Sequence, residues 1–501
     1  MSRAGRQRWL LLALGLAIVL LASVALARPG GGHSYSGGSR SSSRSSGGGG
    51  GGDGGILADI LIYLIIQNPS VGIPLVLLVL AVLAVRWLWQ RGMRAWSTSR
   101  DVPVDAAAVG SEEVAVSLPR RELEQLRSVD PEFSLVLFED FAYMLYGAVQ
   151  RARGLGAQWL APYLAPDLVE TLVDPSLADV QGIVIGAFRY EEVSGFGEPM
   201  LSVELEIESN YVEVSRSGAQ HRYYAVDRML LTRAHSARSR PFARAHKLDC
   251  PNCGAPLEAL RGNECSYCRQ HVGLGRCDWM IVTLDNHVRE EQGPLLTSDS
   301  PERGTDLPTL TDAAAPARFQ ELQQRDPSFS WQTFTMRIAH VFGELQAAWA
   351  GREPLRIRPY VSDNQFQSLY YWLDLYQAQR CRNVTEQARI LRIDLVSVTS
   401  DKHYDAITVR LFASSIDYTI ADDGKLLSGS RSRTRTYSEY WTWIRGSARR
   451  GPSRGDMCCP NCGAGLRVGM AGNCEYCRVK VTAGEFDWVL SRIEQDDAYT
   501  G

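Results

Sequence analysis

The chain has 501 residues, enough for two or three domains at roughly 150 residues each. Hydrophobic residues make up 45% of it and charged residues 22%, an ordinary composition for a folded protein with a sizeable core. The formal net charge of −3 argues against a dedicated binder of nucleic acid or of another polyanion.

The N-terminus has the pattern of a secretory signal peptide. Three early arginines precede an apolar run over residues 9–24, and small residues follow over 25–27. This order predicts a signal peptide over residues 1–27. An uncleaved first membrane span is the alternative, because the apolar run is long for a signal.

A low-complexity segment and a membrane region come next. Residues 28–55 are almost entirely Gly, Ser and Arg, which cannot bury enough apolar surface to offset the entropy of ordering, so we expect disorder. Residues 56–94 are predicted to be a membrane region. Within it, residues 71–89 are apolar and close to the ~20 residues that a helix needs to cross a bilayer. A buried soluble helix is the alternative for this segment.

Flanking charges predict the topology. Arg86, Arg91, Arg94 and Arg100 lie at the end of the predicted span or just after it. Positive residues favour the cytoplasmic side, so the larger C-terminal part is expected in the cytoplasm, a reducing compartment.

The rest of the chain contains one unit twice, because several motifs recur in the same order. We call residues 118–287 the first repeat and residues 316–495 the second repeat, joined by a linker over residues 288–315. The recurring motifs are Asp-Pro-x-Phe-Ser at 130–134 and 326–330, Cys-Pro-Asn-Cys-Gly-Ala at 250–255 and 459–464, and Asp-Trp at 278–279 and 487–488.

Each repeat is predicted to begin with helices. Asp130 and Asp326 are expected to cap the long helices, with proline in the first turn. The predicted helices cover 121–127 and 131–153 in the first repeat, and 318–324 and 327–351 in the second, each pair followed by a further helical stretch.

Strands are predicted to follow the helices in each repeat. Helices followed by antiparallel strands predict an α+β fold with the helices on one face of the sheet. The predicted strands cover 201–214, 227–234 and 277–286 in the first repeat, and 390–398, 406–415, 439–446 and 486–494 in the second.

Two cysteine sites with the spacing C-x2-C-x11-C-x2-C are the sharpest chemical feature. Four thiolates that converge from two tight turns suit tetrahedral Zn²⁺, and iron is the other candidate metal. We expect zinc ribbons over residues 248–272 and 457–481, each inserted before the last strand, as two structural sites without catalytic function. The predicted zinc ligands are Cys250, Cys253, Cys265 and Cys268 in the first repeat, and Cys459, Cys462, Cys474 and Cys477 in the second.

Three cysteines remain outside these sites. Cys277 and Cys381 are predicted to be buried thiols, whereas Cys458 could replace Cys459 as a ligand.

Arginines cluster beside both cysteine sites. They are either solvated loop charges or contacts to the phosphates of nucleic acid or lipid. They are Arg238, Arg240 and Arg244 in the first repeat, and Arg445, Arg449, Arg450 and Arg454 in the second.

The second repeat resembles the Tim44-like domain family. The resemblance is carried by the Asp-Pro-Ser-Phe-Ser motif at 326–330, Pro359-Tyr360, the strand at 390–398, and Glu439-x-Trp441-Thr442-x-x-Arg445. It extends more loosely to the first repeat. The signal, Gly/Ser tract and single span resemble bacterial members of the family.

The resemblance implies two tandem cone-shaped domains, similar to nuclear transport factor two, in which helices pack against a curved antiparallel sheet. The family includes a scaffold subunit of the mitochondrial import motor and a mitochondrial ribosomal protein. The implied role is a scaffold at the inner membrane that engages lipid, a translocase or a ribosome. The cysteine insertions and the doubling depart from the mitochondrial forms.

We therefore expect a non-enzymatic scaffold that binds protein or lipid partners at the cytoplasmic face of a bacterial inner membrane, in protein translocation or membrane protein assembly. One alternative is a cone-fold enzyme or small-ligand binder, although the lone helical His340 is more typical of a structural residue. Another is an adaptor that contacts RNA or the ribosome through its arginines.

Overall fold

A computed structural model describes residues 119–261, 263–291, 304–452 and 458–501. The predicted signal peptide, Gly/Ser segment and membrane region lie outside these residues. Among the helices of the described ranges, none combines the length and the apolar character that a membrane crossing requires.

The described part of the first repeat begins with helices and continues with strands. Short turns of 3₁₀ helix join several of these elements. Its elements are α1 (Pro119–Leu123), α2 (Leu135–Leu155), α3 (Pro166–Thr171), β1 (Leu177–Ser194), β2 (Met200–Ser215), β3 (Gln220–Ala234), β4 (Leu260–Arg261), β5 (Glu264–Cys265) and β6 (Met280–Glu291).

The described part of the second repeat has the same order of helices and long strands. Its elements are α4 (Ala315–Arg325), α5 (Trp331–Gly351), α6 (Pro354–Ile357), α7 (Asp363–Ala378), β7 (Cys381–Ser400), β8 (Tyr404–Ala421), β9 (Leu426–Gly446) and β10 (Val489–Gln495).

Each repeat contains a four-stranded antiparallel sheet. The strand orders are β1-β2-β3-β6 and β7-β8-β9-β10, so each sheet is a meander whose last connection carries a cysteine segment. In each repeat the long helix packs into a hydrophobic core against the sheet. The predicted α+β class is confirmed, and the architecture is compatible with a cone of helices on a curved sheet.

Strand β1 is absent from the sequence-based prediction. Its register against β2 shifts at four places, and each shift moves the following side chains to the other face of the sheet. Its buried residues therefore do not alternate regularly with exposed ones. The period-2 signal of a half-buried strand is lost for that reason.

The outer face of the second sheet is covered by the chain ends of that repeat. Strand β8 is buried on both faces. The Arg410 guanidinium, 1% exposed, donates to the carbonyls of Gly304 and Leu307 and pairs with Asp496 at 3.0 Å (Nε–Oδ1). The end of the linker and the C-terminal segment are thus held on this face.

The predicted helix caps at Asp130 and Asp326 are wrong. The long helices begin four residues later, where Ser134 Oγ accepts from Leu137 N and Ser330 Oγ accepts from Thr333 N. Serine is as good an N-cap as aspartate, so the cap preference does not choose between these positions. What decides is that both aspartates are buried in ion pairs.

Each buried aspartate pairs with the arginine at the end of the third strand of its sheet. Asp130 Oδ2 lies 3.1 Å from Arg233 Nη1, and Asp326 Oδ2 lies 3.0 Å from Arg445 Nη1. All four residues are at most 1% exposed. Removal of one partner from such a pair leaves an uncompensated buried charge, which is strongly destabilising.

A tryptophan completes each of these pairs. The guanidinium carbon of Arg233 lies 5.1 Å from the ring centroid of Trp279, and that of Arg445 lies 4.7 Å from the centroid of Trp488, both within cation–π range. Each tryptophan immediately precedes the last strand of its sheet. The aspartate, arginine and tryptophan therefore join the long helix to both strands that flank the cysteine segment.

The two repeats pack against each other through the start of α2. The sequence is apolar on all sides of the helix there, so one side faces its own core and another needs a second partner. The second repeat supplies that partner. The shared apolar cluster consists of Val136, Leu137 and Ala245 from the first repeat and Tyr404, Ala406, Ile444 and Val489 from the second.

A buried charge network lies between the repeats. Glu139 on α2 receives Arg120 Nε at 2.9 Å, the Tyr190 hydroxyl at 3.1 Å, and Arg492 from the second repeat. Burial alone would raise the pKa of Glu139, but Arg120 and Arg492 hold it below its usual value. The network thus pairs a buried charge at the junction of the repeats.

The carboxylate of the next residue, Asp140, has fewer polar partners than that of Glu139. Asn364 Nδ2 on α7 donates to its Oδ1 at 2.8 Å, and His246 Nδ1 lies 3.7 Å from its Oδ2. Burial raises the pKa of Asp140 to about 7, and the nearby carboxylates of Glu139 and Asp363 act in the same direction.

Replacement of Asp326 by alanine is expected to lower the free energy of unfolding by about 3–5 kcal/mol, because Arg445 is left buried without its partner. Chemical denaturation followed by tryptophan fluorescence measures this loss. Asp374→Ala, at an exposed site on α7, is the control and should change stability by about 0.5 kcal/mol or less. The double variant Asp326→Leu with Arg445→Met should lose less than Asp326→Ala alone. A loss below about 1 kcal/mol for Asp326→Ala would contradict a buried pair.

Asp140→Asn tests the junction of the repeats by its pH dependence. A carboxyl whose pKa is higher in the folded state binds its proton more tightly there, so its contribution falls as pH rises from about 4 to about 7. Asparagine keeps the oxygen that accepts from Asn364 and does not ionise. The variant should therefore gain stability relative to the natural protein across this range, by about 1–2 kcal/mol at pH 8. A constant difference between pH 4 and pH 8 would show that Asp140 does not titrate in this window.

Candidate metal centres

The structure brings the four predicted cysteines of each repeat together. In each cluster all four Sγ atoms lie within 4.8 Å of one another. The Sγ–Sγ distances include 4.0 Å for Cys250–Cys268 and 3.7 Å for Cys253–Cys265. In the second cluster they include 3.8 Å for Cys459–Cys477 and 4.0 Å for Cys462–Cys474.

These separations fit four thiolates around one metal ion. Tetrahedral ligands at about 2.3 Å from zinc lie roughly 3.8 Å apart, whereas disulfide sulfurs are about 2.0 Å apart. All of these cysteines are free thiols. Both clusters could therefore hold a metal ion.

The backbone forms the same two turns at each cluster. After the first cysteine pair, Gly254 and Gly463 adopt φ of 80° and 73°, a left-handed conformation that has no steric cost for glycine. After the second pair the same position is occupied by Arg269 and Arg478, also with positive φ. In each turn the residue after the second cysteine donates its N–H to the carbonyl of the first, as Gly254 does to Cys250 at 2.9 Å.

A local hydrogen bond lowers the pKa of one thiol in each cluster. Asn461 Nδ2 donates to Cys477 Sγ at 3.4 Å and lowers the pKa of that thiol to about 6. Asn252 has the same effect on Cys268, also to about 6. Burial raises the pKa of Cys250 to about 12. Each cluster thus contains one thiol, Cys268 or Cys477, that ionises more readily than an ordinary cysteine.

A buried arginine joins the first cluster to its own repeat. Arg240, 8% exposed, donates to Asp278 beside the last strand, to Asp249 beside Cys250, and to the hydroxyl of Tyr163. Arg244 adds hydrogen bonds to Asp249 Oδ1 at 3.1 Å and to the carbonyl of Cys250 at 2.8 Å.

A different arginine has this role in the second repeat. Arg358, 1% exposed, comes from the helical block, donates to the carbonyl of Met470 at 2.8 Å and also pairs with Asp363. Lys480 Nζ contacts Asp363 Oδ2 at 2.6 Å and the carbonyl of Ala471 at 2.6 Å. Both clusters are therefore fixed on their repeats, although by unrelated residues.

Several arginines that the sequence groups beside the clusters are structural. Arg240 and Arg445 are neither solvated charges nor free to contact a phosphate, because both are buried in ion pairs. Arg449 donates to the carbonyl of Phe486, and Arg450 donates to that of Ser447. Arg454 lies outside the described residues.

The remaining single residues have structural surroundings. Cys381 is 3% exposed, as predicted, and Cys277 is half-buried against the first cluster. Cys458 pairs its backbone with Gly465 and is not a member of the second cluster. His340 Nε2 lies 3.2 Å from the hydroxyl of Tyr360, a contact typical of a structural histidine.

Residues 316–453 match a family model that is described as a Tim44-like domain. The second repeat contains a Tim44-like domain. The matched segment ends after β9, so the second cysteine cluster and β10 lie outside the matched part. No curated protein matches the chain. A Tim44-like domain fits a scaffold or membrane-associated role in general.

The partners of the buried charges were missed by sequence reasoning. Arg233 and Arg445 follow an acidic residue at the same spacing, as Asp227-x5-Arg233 and Glu439-x5-Arg445. Comparison of the two repeats at these positions would have indicated a structural arginine. Arg358 and Arg492 have no such sequence signal, because their partners Asp363 and Glu139 come from a helix end and from the other repeat.

Metal content tests the ligand assignment. Because the two clusters are separate, we expect two ions per chain in the natural protein and one after Cys459→Ser. Cys458→Ser is the matched control and should leave two, since Cys458 lies outside the cluster. Elemental mass spectrometry of the purified chain measures both. Loss of an ion in the Cys458 variant would make Cys458 a ligand.

Proposed function

We propose that the chain is a non-enzymatic scaffold, anchored in a bacterial inner membrane, that presents two rigid zinc ribbons to a protein or lipid partner on the cytoplasmic side. Its task would lie in protein translocation or membrane protein assembly. The observation that carries the proposal is a Tim44-like domain followed by a cluster of four cysteines, which Arg358 holds on the domain.

Zinc suits the donor set best. Four cysteine sulfurs at these separations match Zn²⁺ in a structural site, where the ion supplies folding energy to a segment with little core of its own. A site with four protein ligands leaves no open position for a substrate, which favours a structural role over catalysis. A mononuclear iron centre would have the same ligands but would absorb visible light.

An exposed tyrosine lies in the last turn of each cysteine cluster, and we call these two turns the tips of the ribbons. Their exposure supports an interaction role. Tyr267 is 74% exposed and Tyr476 is 57% exposed, and both lie between the third and fourth cysteines of their clusters. Tyrosine contributes large contact area with a polar end, and it is enriched in protein interfaces. Two such side chains, held on metal-stabilised turns, form preorganised contact points.

Photo-crosslinking in intact cells tests the scaffold role. A photoreactive phenylalanine analogue replaces Tyr267 or Tyr476 in the full chain, and a third variant carries it at Leu427, an exposed site at the start of β9. We expect adducts with the same membrane-associated partner from both tips and none from Leu427. Absence of adducts at both tips, or the same adducts from all three sites, would contradict the proposal.

The membrane arrangement has its own test. Alkaline carbonate should leave the full chain in the membrane pellet, and a C-terminal green fluorescent protein should be fluorescent, because it folds in the cytoplasm. A C-terminal alkaline phosphatase should be inactive, since its disulfides do not form there. An active phosphatase fusion would place the repeats on the other side.

A further inference from the structure

A cavity of about 820 Å³ lies where the first repeat, its cysteine segment and the second repeat meet. Helix α2 and strand β1 form one side, residues around Asp249 and Cys253 form another, and α7 of the second repeat contributes Asn364 and Gln367. Its volume is within the range of pockets that bind small molecules, about 300–1,000 Å³. It borders the hydrophobic core of the first repeat, because Ala148 belongs to that core and also lines the cavity.

Apolar side chains that are only partly buried line one wall. Tyr143 and Met144 come from α2, Ile183 and Ile185 come from β1, and Trp159 is 40% exposed. An apolar wall of this kind gains free energy when a ligand removes it from water.

The rim carries an excess of positive charge. Arg151, Arg244 and Lys247 line the cavity, with Asp249 as the acidic residue among them. Asp249 is already paired with Arg240 and Arg244. Within the described ranges, Arg151 and Lys247 make no ion pair, so both cations remain available to a ligand.

A glycine keeps the space open. Gly147 lies on α2 beside the cavity, and a Cβ built there would meet only Arg151 Nη2, at 3.9 Å. Glycine in a helix interior costs about 1 kcal/mol relative to alanine. The position therefore tolerates a larger side chain, which would project toward the cation of the rim.

We propose that this cavity binds a ligand that joins an anionic group to an apolar body, with Arg151 and Lys247 holding the anion and the Tyr143–Trp159 wall holding the body. The positively charged rim would bind the anionic group, and the apolar wall would bind the apolar body. A soluble organic acid and a single lipid molecule both have this chemistry. The assignment does not depend on the proposed scaffold role, because the site is complete within the described residues.

A pair of fluorescent probes tests the charge requirement. 1-Anilinonaphthalene-8-sulfonate and N-phenyl-1-naphthylamine differ by the sulfonate group alone. The full metal-loaded chain is embedded in nanodiscs of zwitterionic lipid, and the signal of empty nanodiscs is subtracted. We expect the sulfonate to bind about tenfold more tightly than the neutral probe. Equal affinity for the two probes would overturn the proposal.

Charge reversal locates the site. Arg151→Glu with Lys247→Glu should weaken binding of the sulfonate about tenfold or more and leave the neutral probe almost unchanged. Lys425→Glu with Arg433→Glu makes the same change at exposed positions on the β8–β9 hairpin and should have no effect. Equal weakening by the two pairs would indicate general surface attraction and would overturn the proposal.

The duplication offers a matched steric control. Gly147→Phe should abolish binding of both probes, since it fills the cavity without loss of helix stability. Gly343→Phe places the same side chain at the equivalent position of α5, where nothing lies within 4 Å, and should leave binding intact. Unchanged binding in a folded Gly147→Phe protein would overturn the assignment.

Competition identifies the source of the ligand. Displacement of the sulfonate by decanoate alone would assign a soluble organic acid, and displacement by dihexanoyl-phosphatidylglycerol would assign a lipid. If neither competitor displaces the probe at millimolar concentration, the proposed ligand class is wrong.

Discussion

The arrangement of each repeat depends on one buried ion pair. Asp130 with Arg233, and Asp326 with Arg445, join the segment before the long helix to the end of the third strand. The adjacent tryptophan immediately precedes the fourth strand, so one group of contacts fixes both ends of the cysteine segment. The turn beyond the third strand contacts the same carboxylates, through the N–H of Ser239 at 2.9 Å in the first repeat and that of Gly451 at 3.2 Å in the second.

A fixed base matters because each cysteine segment has a very small core of its own. The four thiols make up much of that core, together with a few residues such as Val272 and Val481. A segment with so small a core buries little apolar surface, so the contacts at its base contribute to holding it in place. Arg240 and Arg358 supply these contacts in different ways. The two cysteine segments are therefore fixed at equivalent positions by unrelated residues, and a cavity lies beside the first of them.

Most of the fold class was accessible from the sequence. Helical periodicity and strand alternation predicted the long helices, several strands and the α+β class, and the spacing of eight cysteines predicted two four-thiol clusters. The failures have physical causes. Bulges removed the alternation of β1. The Asp-Pro motif is typical of a helix N-cap, but its aspartate instead forms a buried ion pair with an arginine that is distant in sequence. The arginines near the clusters resemble the charged residues of a solvated loop in the sequence, yet Arg240 and Arg445 are buried.

The sequence by itself determined whatever depends on neighbouring residues: the cysteine spacing of the clusters, the recurrence of motifs and the likeness to a Tim44-like domain. Only the tertiary structure decided which charges are buried, how the two repeats meet through Glu139 and Arg492, and where a cavity remains. The reason is that the partners of these groups lie far apart along the chain, as Glu139 and Arg492 do. Local patterns report secondary structure and metal ligands, whereas burial and ion pairing become defined when distant segments pack together.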